Sequence, residues 1–432
     1  MWTSIFNSTL YSPFCCTLQI SSVMYKRNRS SKHQEGKSAN SPFTSNKFKV
    51  IADKKYLCNG TPLSHESFHA NEIPFINSSS FTPASSTLTS SLYMENLSRK
   101  IWEFYNNTKQ SSLQYEKKVR LLNALHTVVS GVFESAGLYI VGSSINGFGS
   151  IGSDMDICLL VTSRNLHQKK EATFILSRIL QSLRMCRFLH NFSMIHAKVP
   201  IIKFRDKYSS VDCDLNVNNV IGLYNTHLLA MYAKIDWRVR PLGIFIKYWA
   251  QCWNIHNAQY GRLSSYCLIL MLIHYLQTAC DPPVLPNLQE KFPKLFHYTS
   301  EPCELDMNCQ LPWHELQSKN SLSLAELFTG FIDYYTNTFD FTKSAISIRC
   351  CTKSLLKKNV AMKNVPSHEQ GQFGSKFRNC KIFIEEPFSQ TNVARSVHSD
   401  DIVSQIKQAF FQTNEILSGQ YPLESIMEKR NS

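Results

Sequence analysis

The sequence contains two pairs of aspartates whose members are two residues apart, and each pair leads into a short apolar run. The first pair is Asp154 and Asp156, and the second is Asp212 and Asp214. Side chains at positions i and i+2 of a strand point to one face, so each pair would set two carboxylates side by side. Such groups repel unless a cation holds them, and oxygen ligands of this kind suit Mg²⁺. The pairs predict a two-metal site for phosphoryl transfer, with a solvated acidic strand edge as the plainer alternative.

A connection rich in glycine and serine, residues 142–153, stands just upstream of the first pair. Its backbone N–H groups could cradle a triphosphate. Gly147, Gly149 and Gly152 match the dinucleotide pattern GxGxxG by letter, but that pattern must follow a strand and open a helix. Here a strand-like run follows, and no Gly-Lys-Ser/Thr is present for a phosphate-binding P-loop. We therefore reject both nucleotide-binding folds.

The elements that must position these residues divide the chain into four parts and predict an α+β protein. Residues 1–91 are basic and Ser/Thr-rich without sustained periodicity, so we expect a disordered tail. Apolar runs that alternate with helical patterns predict an α+β domain over 92–229, whose leading helix could pack on the helical domain that follows. Helical patterns dominate 230–418, and 419–432 is expected to be a closing tail. The runs in the α+β domain predict four strands, at residues 138–141, 154–161, 199–204 and 211–217.

Composition narrows the function class. Lys and Arg total 46 against 32 Asp and Glu, and this net charge of +14 favours a polyanionic partner, either nucleic acid or an acidic membrane surface. No window has the ~18 continuous apolar residues of a transmembrane helix, so we expect no membrane span. The 14 cysteines lack zinc-site spacing, and we expect reduced thiols in an intracellular protein. The apolar start is followed, not preceded, by its basic cluster, which argues against a signal peptide.

The aspartate pattern belongs to a longer series of motifs. Gly142-Ser143, eleven residues before Asp154-x-Asp156 and followed by a distant Asp214, resembles the DNA polymerase β-like nucleotidyltransferase superfamily. Over residues 92–416 the chain resembles the cytoplasmic germline-development-type poly(A) RNA polymerases of the terminal nucleotidyltransferase family. That resemblance rests on ordered matches at Val199-Pro-Ile-Ile-Lys-Phe-Arg-Asp206, Asp214-Leu-Asn-Val-Asn-Asn219, Arg240-Pro241, Lys247-x-Trp249-Ala250, Gly261-x-Leu-Ser-Ser-Tyr266 and Glu385-Glu-Pro-Phe388.

The resemblance implies a template-independent enzyme that adds nucleotides to RNA 3′ ends. Its fold would be a polymerase β-like nucleotidyltransferase domain plus a mainly helical central domain, with the active site in the cleft between them. Asp154, Asp156 and Asp214 would hold two Mg²⁺ or Mn²⁺ ions, with Asp214 nearest the RNA 3′-hydroxyl. Asp212 shares the expected face of Asp214, and its part in the site stays open.

The same resemblance assigns ATP contacts to seven further residues, Gly142, Ser143, Asn225, Lys247, Ser265, Tyr266 and Glu386. Ser143 would touch the triphosphate, and Lys247 would neutralise its outer phosphates. Asn225 would read the ribose 2′-hydroxyl, Ser265 would bind phosphate, and Tyr266 would stack on the base. Taken alone, these residues have plainer interpretations, as a solvated lysine, a core tyrosine and a capping asparagine.

The choice of base depends on one local run. Relatives that transfer uridine carry a histidine after the Pro-Phe motif, whereas Pro387-Phe-Ser-Gln-Thr-Asn392-Val-Ala-Arg395 has none. ATP is therefore the expected substrate. Three alternatives stay open: uridylyl transfer to small RNAs, an inactive polymerase-like scaffold, and a small-molecule nucleotidyltransferase. The intact acid set disfavours the scaffold, and the long match together with the positive charge disfavours the small-molecule enzyme.

RNA would be held without a dedicated module. We find no RRM, KH or zinc-finger signature. The resemblance therefore implies an RNA-binding adaptor protein, a cytoplasmic location, and no role for a membrane. Basic runs at 117–120, 353–358 and 376–381 are candidates for a salt-dependent phosphate track, with an ordinary solvated surface as the alternative for each. The stretch 26–37 could serve as a nuclear address or as an RNA-touching arm, with a solvated tail as the plainer alternative.

Overall fold

The computed structural model describes most of the chain after the predicted N-terminal tail. The described residues are 85–164, 166–298, 305–350, 355–356 and 380–429. The prediction for 1–84, including the basic stretch, lies outside them. So do nearly all of the basic run 353–358 and most of the run 376–381.

Two helices lead into the sheet. Helix α1 spans Ser85–Thr108, and α2 spans Ser112–Ser130. The start of α1 lies before the predicted boundary at residue 92, because a helix that is already nucleated gains a backbone hydrogen bond with each added residue. A capping box starts α2: the Ser111 side chain accepts from the Gln114 N–H, and the Gln114 side chain accepts from the Ser111 N–H.

A five-stranded mixed sheet forms the floor of the catalytic half. Its order is β1-β2-β5-β4-β3; β2 and β5 run parallel, and the other neighbours are antiparallel. A short helix, α3 (Ser143–Asn146), lies between the first two strands. The strands are β1 Gly137–Val141, β2 Met155–Leu160, β3 Leu189–Ile195, β4 Ile201–Asp206 and β5 Asp212–Val217.

Four of these strands were predicted, and β3 was missed. The chain between β2 and β3 contains a π-helical turn, Gln168–Ala172, and helix α4, Thr173–Arg184. The chain then enters β3, whose pairing with β4 is irregular and whose Asn191 has φ +54°. A bulge of this kind breaks the two-residue alternation that identifies a strand in a sequence.

The remainder of the described chain is mainly helical. Helix α5 follows β5 directly and leaves the sheet domain. A π-helical turn, Tyr334–Thr338, extends α10, and β6 and β7 form a two-stranded ribbon. The elements are α5 Val220–Ile235, α6 Val239–Cys252, α7 Ser265–Thr278, α8 Leu288–Lys291, α9 Trp313–Leu316, α10 Leu324–Asp333, β6 Ser344–Ala345, β7 Leu355–Leu356, α11 Asp400–Ser418 and α12 Glu424–Met427, with a 3₁₀ turn at Ala258–Tyr260.

Buried apolar side chains form two main cores. The sheet core draws its buried members from residues 121–217. The helical core takes Leu97 and Ile101 from α1, Phe148 from the 142–153 loop and then side chains from Leu228 onward, so the predicted boundary at 229/230 falls inside α5. The predicted tail 419–432 also contributes, because Ile426 of α12 is fully buried in the helical core. No helix in the described part of the chain is long and apolar enough to cross a bilayer.

Candidate active site

Two catalytic candidates face each other across parallel strands. Asp156 of β2 is paired in register with Asp214 of β5, and Asp154 lies one residue before β2. In-register neighbours point to the same face of a sheet, so these carboxylates share one surface. Asp212 is half-exposed at the start of β5 and forms a 3.5 Å ion pair with Arg205. The sheet therefore sets Asp214 directly opposite Asp156, and Asp212 has its own basic partner.

The aspartate cluster is electrostatically strained. Burial, followed by repulsion from Asp214 and Asp154, raises the pKa of Asp156 to about 7. Burial and repulsion from Asp214 also raise the pKa of Asp154. A divalent cation would relieve this repulsion, and the all-oxygen donor set suits a hard ion. Within the described residues, no three or more His, Cys, Asp or Glu side chains form a group that could hold a metal ion as they stand.

A lysine that the sequence analysis missed neutralises the third aspartate. Lys203 of β4 is paired in register with Asp214, and its Nζ donates to both carboxylate oxygens at 2.9 and 2.7 Å. The carboxylate raises the pKa of Lys203 by hydrogen bonding and attraction, against an opposing effect of burial. Only the antiparallel register of β4 and β5, which sequence alone does not give, brings these residues together.

A second missed lysine corrects a prediction. Lys118 was expected on a basic surface of α2, but its side chain is buried and only 3% of the residue is exposed. Its Nζ donates to acceptors on both sides of the 142–153 loop. Burial lowers the pKa of Lys118, while Asp156 and Asp154 act in the opposite direction. The hydrophobic pattern of a helix assigns lysine to the solvent-facing side. It therefore does not predict Lys118, whose ammonium is buried with polar partners.

The loop beside the aspartates depends on a glycine. Gly142 has φ +71°, a region that L side chains rarely adopt, and a methyl group there would collide with Oδ2 of Asp156. The Gly142 N–H donates to Oγ1 of Thr226 on α5 at 2.8 Å, which ties the loop to the helix. Ser143 then begins α3. This close approach sets the start of the loop directly against the Asp156 carboxylate.

A cleft of about 810 Å³ opens between the sheet side and the helical side. All the predicted site residues except Asp214 and Glu386 line it. Lys247 of α6 reaches across, and its Nζ donates to the Phe148 carbonyl at 3.0 Å. Burial lowers the pKa of Lys247 to about 8. The cleft thus combines carboxylates on one wall with an ammonium group on the other.

Three further predicted residues lie on the cleft wall with distinct surroundings. Ser265, in the first turn of α7, is 2.8 Å from Nε2 of His256. Asn225 has a buried Oδ1 with no hydrogen-bond partner in the described part of the chain, so its amide can receive a hydroxyl donor. Tyr266 is half-buried, and its hydroxyl donates to Oε1 of Glu386 at 3.3 Å.

Glu386 occupies a supporting position behind Tyr266. Its Oε1 accepts from the tyrosine hydroxyl, while its Oε2 accepts from the backbone N–H groups of Phe388 and Ser389. The residue is 4% exposed and its contacts hold the turn after the Glu-Pro-Phe motif. Glu386 therefore orients Tyr266, and its direct contact with a nucleotide stays a prediction.

The arrangement can perform one kind of chemistry well. Carboxylates on adjacent strands can hold hard cations, and the Lys247 ammonium together with the α7 N-terminus can receive phosphate oxygens. An aromatic ring and an unsatisfied amide oxygen lie farther along the same cleft. This combination suits nucleotidyl transfer, in which catalysis is mainly positioning and charge neutralisation.

Comparisons with known proteins match both parts of this architecture. Residues 97–234 match the family model described as "Poly(A) RNA polymerase, mitochondrial-like, central palm domain". Residues 323–392 match the model "Cid1 family poly A polymerase". The first match covers the second half of α1, the sheet and most of α5, and the second covers a part of the helical core.

Similarity to individual proteins extends over most of the chain. The chain is 35% identical over 390 residues to the poly(A) RNA polymerase gld-2 of Caenorhabditis elegans. This match covers 80% of the chain and 35% of that protein. The chain thus spans about a third of that relative's length. A solved GLD-2/RNP-8 complex matches with 37% identity and a TM-score of 0.67, over 77% of this chain and 98% of that one. The Cid1 poly(U) polymerase bound to Mg 3′-dATP matches with 26% identity and a TM-score of 0.63, over 78% and 99%.

Proposed function

The chain belongs to the GLD2-type poly(A) RNA polymerases, and we propose that it adds AMP from ATP to RNA 3′ ends without a template. The observation that carries the proposal is the in-register pairing of Asp156 with Asp214 beside a cleft whose far wall holds Lys247 and Tyr266. The RNA 3′-oxygen would attack the α-phosphorus, and the bond to pyrophosphate would break. The hydroxyl proton would leave to water.

The carboxylates fit a pair of divalent ions, and Mg²⁺ or Mn²⁺ would be held by Asp154, Asp156 and Asp214. Bound there, such ions would stabilise the attacking and leaving oxygens. The chain's own groups supply the remaining effects. Lys203 keeps the Asp214 carboxylate in a fixed orientation, and Lys247 offers a positive charge to the outer phosphates.

Nucleotide recognition would use the remaining cleft residues. Gly142 and Ser143 would approach the triphosphate, and Ser265 would place its hydroxyl and the first turn of α7 near the phosphates. The unsatisfied Oδ1 of Asn225 would accept from the ribose 2′-hydroxyl, which favours ribonucleotides. Tyr266 would stack on the base, where Glu386 holds its ring.

Adenine is the proposed base, and uridine is the runner-up. The histidine expected of uridine-transferring relatives is absent from the run after Phe388. The position of Asn392 is used structurally, because its side chain bonds to the backbone of Ile382, Ile384 and Ala394. The chain is also more similar to the GLD-2 structure than to the poly(U) polymerase. Together these observations favour ATP.

We further propose that a partner protein brings the RNA to this enzyme in the cytoplasm. A structural neighbour was solved as a GLD-2/RNP-8 complex, which supports the need for a protein partner. The sequence carries no recognisable RNA-binding module of its own, so its net charge of +14 would supply only non-specific affinity. The cytoplasmic location rests on the family resemblance.

The proposal is tested with purified protein, a labelled oligo(A) primer, Mg²⁺ and each ribonucleoside triphosphate separately. Extension with ATP that is lost in an Asp154→Ala/Asp156→Ala variant is the expected result. Equal or better extension with UTP would overturn the base assignment and keep the chemistry. If no nucleotide is used, even with the primer tethered to the protein, the chain is a scaffold.

A further inference from the structure

A buried ammonium lies under the loop that joins the catalytic carboxylates to the nucleotide side of the cleft. Lys118, on α2, donates to three close acceptors: Oε1 of Gln110 at 2.8 Å, Oγ of Ser144 at 2.9 Å and the Ser153 carbonyl at 2.8 Å. The Asp154 carbonyl lies farther away, at 3.4 Å. Three short acceptors match the three protons of a charged lysine head group.

These acceptors come from both ends of the 142–153 loop. Ser144 follows Gly142 and Ser143 at its start, whereas Ser153 directly precedes the catalytic Asp154 at its end. The Ser144 hydroxyl accepts from Lys118 and donates to the Asp154 carbonyl at 3.1 Å, which closes a ring of hydrogen bonds. The lysine therefore joins the segment that would touch the triphosphate to the segment that would hold metal.

A neighbouring side chain completes the connection. Gln110, in the link between α1 and α2, accepts from Lys118 through Oε1 and donates through Nε2 to the Ser144 carbonyl at 2.8 Å. Its backbone N–H also donates to the Gly149 carbonyl at 3.0 Å, near the middle of the loop. The loop is thus fixed at its start, its middle and its end by two residues from outside it.

A purely structural lysine would be a costly choice at this position. Burying an ammonium needs full compensation by polar partners, and apolar residues usually fill helix faces that pack on a sheet. Here every close acceptor belongs to the catalytic loop or to Gln110, which itself binds that loop. A metal site commonly depends on outer groups of this kind, which orient the ligands without touching the ion.

We propose that Lys118 is a positioning residue that sets the distance between Asp154 and the Ser143–Ser144 segment, and so preorganises the site for a metal-bound triphosphate. The proposal rests on the proposed nucleotidyl transfer, but its test does not depend on RNA extension. Without the ammonium, the two loop ends would move independently. Asp154 would then meet the metal–nucleotide complex in the required geometry only part of the time.

The test is Lys118→Met, which keeps the length and apolar stem of the side chain and removes the donors. Binding of Mn²⁺–ATP to the full chain is measured by calorimetry without RNA, together with thermal unfolding. We expect affinity to fall by ~10–100-fold, the usual effect of losing an outer partner of a metal ligand. Where the wild type extends RNA, the half-saturating Mg²⁺ concentration should rise in the same direction.

Two controls separate positioning from packing and from charge. Val129→Ala removes a fully buried side chain of the same helix, so it should lower stability without changing Mn²⁺–ATP affinity. Lys407→Met removes an exposed lysine of α11 and should change neither quantity. A folded Lys118→Met protein with unchanged Mn²⁺–ATP affinity would overturn the proposal.

A second variant keeps the test decisive if Lys118→Met does not fold. Ser144→Ala removes one acceptor of the lysine and the bond to the Asp154 carbonyl. It should weaken Mn²⁺–ATP binding by a smaller factor than the lysine variant, and unchanged binding would refute the positioning role. Wild-type protein that binds Mn²⁺–ATP but extends no RNA would refute the proposed function alone.

Discussion

Lys203 and Asp214 form a two-armed ion pair across antiparallel strands, with Nζ 2.9 and 2.7 Å from the two carboxylate oxygens. This lysine lies beside a cluster in which Asp154 and Asp156 already have raised pKa values. Lys203 is therefore a permanent counter-charge of the site. A bound metal ion and this ammonium would both offset the negative charge of the aspartates.

Lys203→Met should accordingly make stability more dependent on divalent metal. In EDTA the free energy of unfolding of the variant should be lower than that of the wild type by about 1 kcal/mol, or ~2–4 °C in melting temperature. The effect is small because the lysine is a third exposed and solvent screens part of the ion pair. Mg²⁺ should then raise its melting temperature more than that of the wild type, since metal binding relieves the added repulsion. Equal Mg²⁺-induced shifts in the two proteins would contradict this prediction.

Lys247 should limit activity at alkaline pH. Its pKa is lowered to about 8 by burial, so the ammonium is charged below pH 8 and becomes neutral as pH rises through that value. In steady-state rates, kcat/KM for ATP should fall above pH 8 by up to about tenfold per pH unit, because this ratio reports the free enzyme. Lys247→Arg stays charged throughout, so its profile should lose this alkaline limb even if its overall rate is lower.

Gly142→Ala should impair catalysis far more than the same change at Gly152. Both glycines have positive φ, so alanine adds backbone strain at each position, and at Gly142 (φ +71°, ψ −150°) the conformation is one that essentially only glycine adopts, at a cost of about 1–3 kcal/mol. Only at Gly142 does the new methyl group meet Asp156, whereas at Gly152 nothing lies within 4 Å. We expect a loss of ~100-fold or more in kcat for Gly142→Ala, because small misplacements of catalytic groups have effects of this size. Similar kcat values for the two variants would argue against the close approach to Asp156.

Tyr266 should act through its ring more than through its hydroxyl. Tyr266→Ala removes the stacking face, and the KM for ATP should rise by a factor that corresponds to about 1–3 kcal/mol. Tyr266→Phe keeps the ring and loses only the 3.3 Å bond to Glu386, so its KM should rise by less than about fivefold. If the phenylalanine variant matched the alanine variant, the hydroxyl–carboxylate contact would be the essential feature.

The carboxylates of the site could be predicted from sequence because a strand repeats every two residues. That period is local, and it grouped Asp154 with Asp156 and Asp212 with Asp214, while the ordered motifs identified the family and singled out Asp214. The supporting residues could not be found in this way. Lys203 and Thr226 reach the site only through sheet register and helix docking, and these contacts join residues separated by as many as 84 positions.

Lys118 shows a second limit of prediction from sequence, which is that the burial of a charged side chain depends on partners distant along the chain. Its helix position suggested a solvated lysine, because charged residues are seldom buried without partners. Two of its three close acceptors, the Ser144 hydroxyl and the Ser153 carbonyl, come from a loop more than twenty residues away, and the third is Gln110. Strand β3 was missed for a related reason, since its bulge at Asn191 disrupts the alternation that a sequence can display.

The residues of the two cores are completed at different stages of synthesis. The sheet core is complete once residue 217 has been synthesised, because all its buried members lie between residues 121 and 217. The helical core includes Leu97 and Ile101 of α1 together with Ile426 of α12, which is synthesised more than three hundred residues later. Domains generally fold as units during synthesis. The sheet domain can therefore take shape on the nascent chain before the helical core, which is complete only once α12 has been synthesised.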